Sequence, residues 1–170
     1  IPVPEPARST TPPSQARAHY LRGTLMVAQG RLNAAEVALE RARIFDPNAP
    51  QILMALSHVA LNRGDTETAR SRMSDAAHMS TEDPRPWLAY GRLEMAFGDE
   101  AVGTAALHQA LALGDPWQAR AALIARSIRA HAPSPLLDAW KARDETDPIA
   151  LRRRAGLRAA AQDHSGRSEE

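Results

Sequence analysis

The chain has 170 residues, 21 basic against 20 acidic for a formal net charge of +1, and no cysteine. That length suits one domain, the absent cysteine excludes disulfides, thiol catalysis and cysteine-ligated zinc, and near-neutral charge argues against nucleic-acid binding by bulk charge. Hydrophobic residues make up 44% but aromatic ones only 4%, so alanine and leucine must supply the core.

Residues 1–15, IPVPEPARSTTPPSQ, carry five prolines and a Ser/Thr cluster. They are expected to form a disordered or extended tether, since proline interrupts both helix and sheet ladders; a polyproline ligand for a partner is the functional alternative. The chain starts at Ile1 rather than methionine, as expected of a processed or trimmed product. A first helix is predicted over Arg17–Ala28, broken by Gly30, with a partner helix Arg31–Phe45 ended by Asp46 and Pro47. Pro50–Asn62 opens a second pair, and Asp65 caps a helix that reaches Met79. After a polar loop over 80–86, Trp87–Phe97 and Glu100–Leu113 make a third pair.

Trp117–Ala130 reads as a further helix, with Ala121, Ile124, Ala125 and Ile128 on its apolar positions. Pro133, Pro135 and Lys141 spoil a regular continuation, leaving a short helix over Pro135–Ala142. A last helix, Pro148–Ala161, follows with Asp147 as its cap and Arg152, Arg153 and Arg154 for an outer face. Residues 162–170 are expected to be a disordered tail. Trp117 and Trp140 are expected to be buried beneath the terminal helix; the alternative is that they are exposed and stack on another copy. No apolar run is long enough to span a membrane.

A period organises this pattern. Gly30, Gly64 and Gly98 are 34 residues apart, as are Ala42, Ala76 and Ala110; Ala35, Ala69 and Gly103; Leu39, Met73 and Leu107; and Gly23, Ser57 and Gly91. Units are thus 16–49, 50–83 and 84–117, with a partial fourth from 118, so that repeats occupy 16–131 and a degenerate half-repeat with capping helix occupies 132–161. A fixed period of this size signals a solenoid whose units bury their faces against neighbours. A small residue at the eighth position lets a second helix cross closely, and the large apolar residue at the twenty-fourth fills the space. Glycine at the fifteenth permits the turn.

These columns resemble the tetratricopeptide repeat, a helix–turn–helix unit of this length. Unit one matches best, with Gly23, Gly30, Ala35, Leu39, Ala42 and Pro47, while unit three supplies Trp87, Tyr90 and Gly91. The departures are His19 and Arg22 in unit one, Ser57 and Thr81 in unit two, and Glu94 in unit three. The resemblance implies an all-α, right-handed helical-hairpin solenoid with a C-terminal capping helix.

No catalytic constellation is legible. The six histidines are His19, His58, His78, His108, His131 and His164, with no helical metal-site spacing, no HExxH, no GxSxG and no phosphate loop. Neither a cofactor nor a metal is expected.

Charge placement carries the functional expectation. In and beside the four first helices stand Arg17, Arg22, Arg63, Arg85, Arg92, Arg120, Arg126 and Arg129, against one acid, Glu94. By the resemblance, first helices line a concave groove. Its positions are Arg17, Tyr20, Thr24, Val27 and Ala28 in unit one, and Gln51, Met54, His58, Leu61 and Asn62 in unit two. Unit three gives Arg85, Leu88, Arg92, Met95 and Ala96, and the partial fourth Arg126 and Arg129. Such a groove is apolar in its middle and arginine-lined toward the C-terminal half, which suits an acidic, partly hydrophobic segment of a partner protein. The plainer account is that these arginines are solvated side chains keeping an open solenoid soluble. The lysine–asparagine carboxylate clamp of the chaperone-binding subclass is missing, since Tyr20 and Thr24 stand there.

The expected function is a non-catalytic interaction scaffold that assists assembly of a bacterial complex. The Pro-rich N-terminal stretch favours the periplasm or envelope over the cytoplasm. The rivals are an RNA-binding helical repeat, disfavoured by net charge and by Tyr20 being the one well-placed aromatic, and a self-assembling structural subunit.

Overall fold

The computed structural model describes residues 12–114, 116–132 and 134–136, and every regular element among them is an α-helix. These are α1 (Pro12–Ala28), α2 (Leu32–Phe45), α3 (Pro50–Asn62), α4 (Thr66–Met79), α5 (Pro84–Phe97), α6 (Glu100–Gly114) and α7 (Trp117–Arg129). They belong to two compact units, Ile1–Thr81 and Glu82–Glu170. The class is all-α, built of helical hairpins repeated as in a solenoid.

In the first unit α1 pairs with α2 and α3 with α4, while α2 also packs on α3. Its core is Ala35, Leu39 and Ala42 from α2 against Ile52, Ala55, Leu56 and Val59 from α3. Burying a leucine or isoleucine such as Leu39 or Ile52 is worth about 1.5–3 kcal/mol, so a thin alanine-rich seam holds through a few large residues. The small column works as the period predicts. A Cβ placed on Gly23 would lie 2.6 Å from Leu39 Cγ, so α1 and α2 touch through that hydrogen-only position. Unit two replaces both partners: Ser57 is wholly buried, donates its hydroxyl to Ala69 O at 2.7 Å, and shares the hairpin with the unbranched Met73 rather than a leucine.

Gly30 and Gly64 close their hairpins in the left-handed region, at φ of 71° and 80°. The Gly30 amide donates to Val27 O and the Arg31 amide to Met26 O; Gly64 to Leu61 O and Asp65 to Ala60 O repeat the pattern. In unit two, Asp65 then accepts from the Thr68 amide at 3.1 Å and caps α4.

In the second unit α5 pairs with α6, and α7 packs on α6 and touches α5. Leu107, Ala110, Ala119 and Leu123 form the core, with Trp87, Leu88, Met95 and Leu111 packed against it. The glycine column fails here in an instructive way. Gly98 has φ −128° and ψ −137°, outside the left-handed region. The Asp99 amide, instead of reaching the backbone carbonyl of residue 94, bonds to the Glu94 side chain, Oε2, at 3.0 Å. Glu94 is only 3% exposed. The acid at a normally apolar position therefore supplies a turn acceptor that units one and two take from main chain.

The fourth first helix recovers the left-handed closure without glycine. His131 has φ 49°, its amide donates to Ile128 O, and Ala132 donates to Ser127 O. The glycine column would have fallen at residue 132, so the fourth unit closes one residue short.

Two helices begin earlier than expected. α1 starts at Pro12, inside the stretch taken as tether, and α5 at Pro84 rather than Trp87. Proline in a first turn loses no hydrogen bond, because the first four amides have no intrahelical acceptor; Asp83 completes α5 by accepting from the Arg85 amide at 2.9 Å. Trp117 is 57% exposed, not buried. Pro135 and Leu136 are helical. The remainder of that expected short helix, the capping helix Pro148–Ala161, Trp140, the tether up to residue 11 and the C-terminal tail lie outside the described residues.

Candidate functional site

The spacing 17, 20, 24, 27, 28 places five side chains on one face of α1, and the same steps select one face of α3, α5 and α7. Within each unit the two first helices touch, α1 with α3 and α5 with α7. In the first unit Arg17, Gln51, His58 and Asn62 are exposed, while Tyr20, Thr24, Met54 and Leu61 are partly buried. Tyr20 packs on the α2–α3 core. The Thr24 hydroxyl donates to Leu21 O at 3.0 Å and is occupied by its own helix.

In the second unit Arg92 and Arg129 are exposed. Arg85 is held in a fork by Asp83, with Nε 2.9 Å from Oδ1 and Nη2 2.7 Å from Oδ2; this guanidinium holds the Asp83 carboxyl below its ordinary value. Leu88 and Met95 pack against the α6–α7 core. Met95 is turned toward α6: its Cγ lies 2.8 Å from where a Cβ on Gly103 would stand, and Thr104 Oγ1 is 3.9 Å from its sulfur. Arg126 Nε donates to Glu100 Oε1 at 2.6 Å, which ties α7 to α6.

The second helices carry a separate ionic layer. Glu36 of α2 accepts from Arg63 and, at 3.4 Å, from Arg72. Arg63 also donates to Asn33 at 2.6 Å. Arg43 bonds Glu40 at 2.7 Å. The hydrogen bond from Arg63 is the main reason the Glu36 carboxyl sits below its ordinary 4.5. Arg63 and Arg126 are thus committed to second-helix acids, which the sequence count did not separate. What remains on the first helices is simpler. α1, α3 and α7 contain no acidic residue, and the one acid of α5, Glu94, is buried in the turn.

Among the described residues no group of three or more His, Asp or Glu is placed to hold a metal ion. His19 instead stacks on Phe45, with ring centroids 5.6 Å apart and planes within 4°. No helix among those residues is long and apolar enough to cross a membrane.

No family model matches this sequence, and no curated protein does. Solved structures match by shape. Pseudomonas aeruginosa pilF superposes with a TM-score of 0.67 at 16% identity, covering 91% of this chain and 72% of its own. The first tetratricopeptide domain of Spaghetti (RPAP3), bound to the HSP90 peptide SRMEEVD, gives 0.63 at 14%, covering 73% of this chain and 99% of that one. The fold is a tetratricopeptide-like repeat. The Yersinia enterocolitica type III secretion chaperone SycD, in complex with a peptide of the translocator YopD, gives 0.53 at 12%, covering 90% and 94%. Two of these three structures are therefore bacterial, one of them a secretion chaperone. In this tetratricopeptide-like chain the columns at positions eight, twenty and twenty-four do the packing that the period implied.

Proposed function

We propose that this chain is a non-catalytic protein–protein interaction scaffold whose first-helix face takes an acidic, partly apolar segment of a partner. One observation carries the reading: the exposed side chains of the four first helices include arginines and no acid, because Glu94 is withdrawn into a turn. In the first unit Arg17 supplies the charge and Tyr20, Met54 and Leu61 the apolar component; in the second, Arg92 and Arg129 supply the charge and Leu88 the apolar component. Arginine forks suit carboxylates, and partly buried methionine and leucine suit an amphipathic or extended segment. The peptide-bound Spaghetti and SycD structures support a peptide-holding use of this fold. We place the partner complex at the bacterial envelope, supported by the Pro-rich N-terminal stretch.

The test is affinity capture from the source organism with the full chain as bait, beside an Arg92→Glu/Arg129→Glu variant, read by mass spectrometry. One dominant protein lost with the variant is the expected result. Recovery of RNA, of the chain alone, or of the same partner on both baits overturns the reading. Arg126 is left intact because its loss would also cut the bond to Glu100.

A further inference from the structure

The outer face of α1 is a different surface, and comparison of the repeat columns exposes it. Positions three, six, seven and ten of α3 are Ile52, Ala55, Leu56 and Val59, all buried in the core they share with α2. In α7 Leu123, at the sixth position, is likewise buried, in the core it shares with α6. The same columns of α1 are Ala18, Leu21, Arg22 and Leu25. All four are exposed, with Leu21 and Leu25 at 55% and 59%.

Ala18, Leu21, Leu25 and Ala28 recur in alternating steps of three and four, the seam by which one helix packs along another. Arg17 and Arg22 flank this seam on opposite sides, since each lies about 60° or more from its centre on a helix turning about 100° per residue. α1 contains no acid to answer them. Arg22 also stands in the column where α3 and α7 bury Leu56 and Ile124, so whatever lies here meets a guanidinium where α2 meets a leucine. Two copies of α1 packed together would oppose arginine to arginine, which disfavours self-pairing. An acid-flanked helix is complementary.

We propose that the outer face of α1 docks an acidic amphipathic helix of a partner protein, seated on α1 as α2 is seated on α3. Arg17 and Ala28 border both surfaces, but Leu21, Arg22 and Leu25 belong to this one alone and Arg92 and Arg129 to the first-helix face alone, so variants at those positions let the two readings fail independently.

The probe is a fluorescein-labelled three-heptad peptide with leucine at the seam positions and glutamate at the flanks, beside a version with lysine at the flanks. Each is titrated into the full chain by anisotropy, with circular dichroism confirming that every variant is helical. The acidic peptide should bind at least about tenfold tighter than the basic one. Leu25→Asp should abolish that binding, Arg22→Glu should weaken it about tenfold, and Arg92→Glu/Arg129→Glu should leave it unchanged. Binding of neither peptide, or equal binding to Leu25→Asp, overturns the proposal. So does a wild-type dimer that Leu25→Asp converts to monomer, which assigns the face to a second copy. A melting temperature lowered by Leu25→Asp in the peptide-free chain also overturns it, because the chain itself then covers the seam.

Discussion

The substitution Gly91→Ser should destabilise the third hairpin, although the neighbouring unit carries serine in the same column. A Cβ on Gly91 would stand 2.8 Å from Leu107 Cγ and 2.9 Å from its Cδ2, with Gly103 O at 3.0 Å. Carbon contacts are comfortable at about 3.5–4.0 Å, so the overlap is roughly 0.7 Å against a branch point of a fully buried leucine that has no room to retreat. Overpacking of this kind costs about 1–3 kcal/mol. For a chain of this size each kcal/mol moves the melting temperature by about 2–4 °C, giving a fall of roughly 2–12 °C. Unit two shows the compensation: its two columns carry Ser57 and Met73, whose γ carbon is unbranched, and the Ser57 hydroxyl donates to Ala69 O at 2.7 Å. Adding Leu107→Met to Gly91→Ser should therefore restore part of the loss, with a coupling of about 1 kcal/mol or more in a double-mutant cycle. Urea and thermal unfolding of the four proteins measure it. An unchanged Gly91→Ser chain, or strictly additive effects, would refute the argument that positions eight and twenty-four are one packing unit.

Replacing Glu94 with alanine should cost about 1–3 kcal/mol by stranding the Asp99 amide, whereas Glu94→Gln keeps an acceptor and should cost less; chemical denaturation ranks the two. His131→Gly should stabilise by up to about 1.5 kcal/mol, since a left-handed residue costs roughly 1–2 kcal/mol and glycine gives back roughly 0.5–1 in chain entropy; a lower melting temperature would contradict it. Because the Glu36 carboxyl is depressed below its ordinary 4.5 by Arg63, its stabilising contribution is full above that pH and is lost as pH falls through the folded-state value. Glu36→Gln should accordingly be less stable than wild type at neutral pH, and the gap should close in acid, as melting temperatures across that range would show.

Much of the hairpin architecture was legible because it is written in small residues. Helices cross closely at small residues such as Gly23, Gly91 and Gly103, so the period is carried by positions with little room for a larger side chain. The limits of α3 match the reading for the same local reasons, Pro50 at its first turn and Gly64 after its end. The starts of α1 and α5 were hidden because proline, read as a breaker, is harmless in a first turn. The role of Glu94 in the turn was hidden because the group it holds there is the main-chain amide of Asp99. At the candidate face, residue identity located the arginines but not their commitments: Arg63 reaches Glu36 across 27 residues and Arg126 reaches Glu100 across 26, distances at which only the packed helices decide the pairing. Met95 turned inward for a similar reason, since Gly103 opens a space that the sequence does not advertise. The outer seam of α1 became visible only when buried columns in α3 and α7 showed what position six and ten residues normally do.

The measurement that bears most directly on the scaffold reading is calorimetric titration of the captured partner's acidic segment. It is run against wild type, Arg92→Glu/Arg129→Glu on the first helices, and a charge-matched control, Arg31→Glu/Arg41→Glu, outside them. Two charge reversals against an acidic ligand are worth about 1.4 kcal/mol or more together, so the first-helix variant should bind at least about tenfold more weakly while the control stays within about twofold. Equal loss in both variants, or loss in the control alone, would contradict a partner-binding role for the first-helix face.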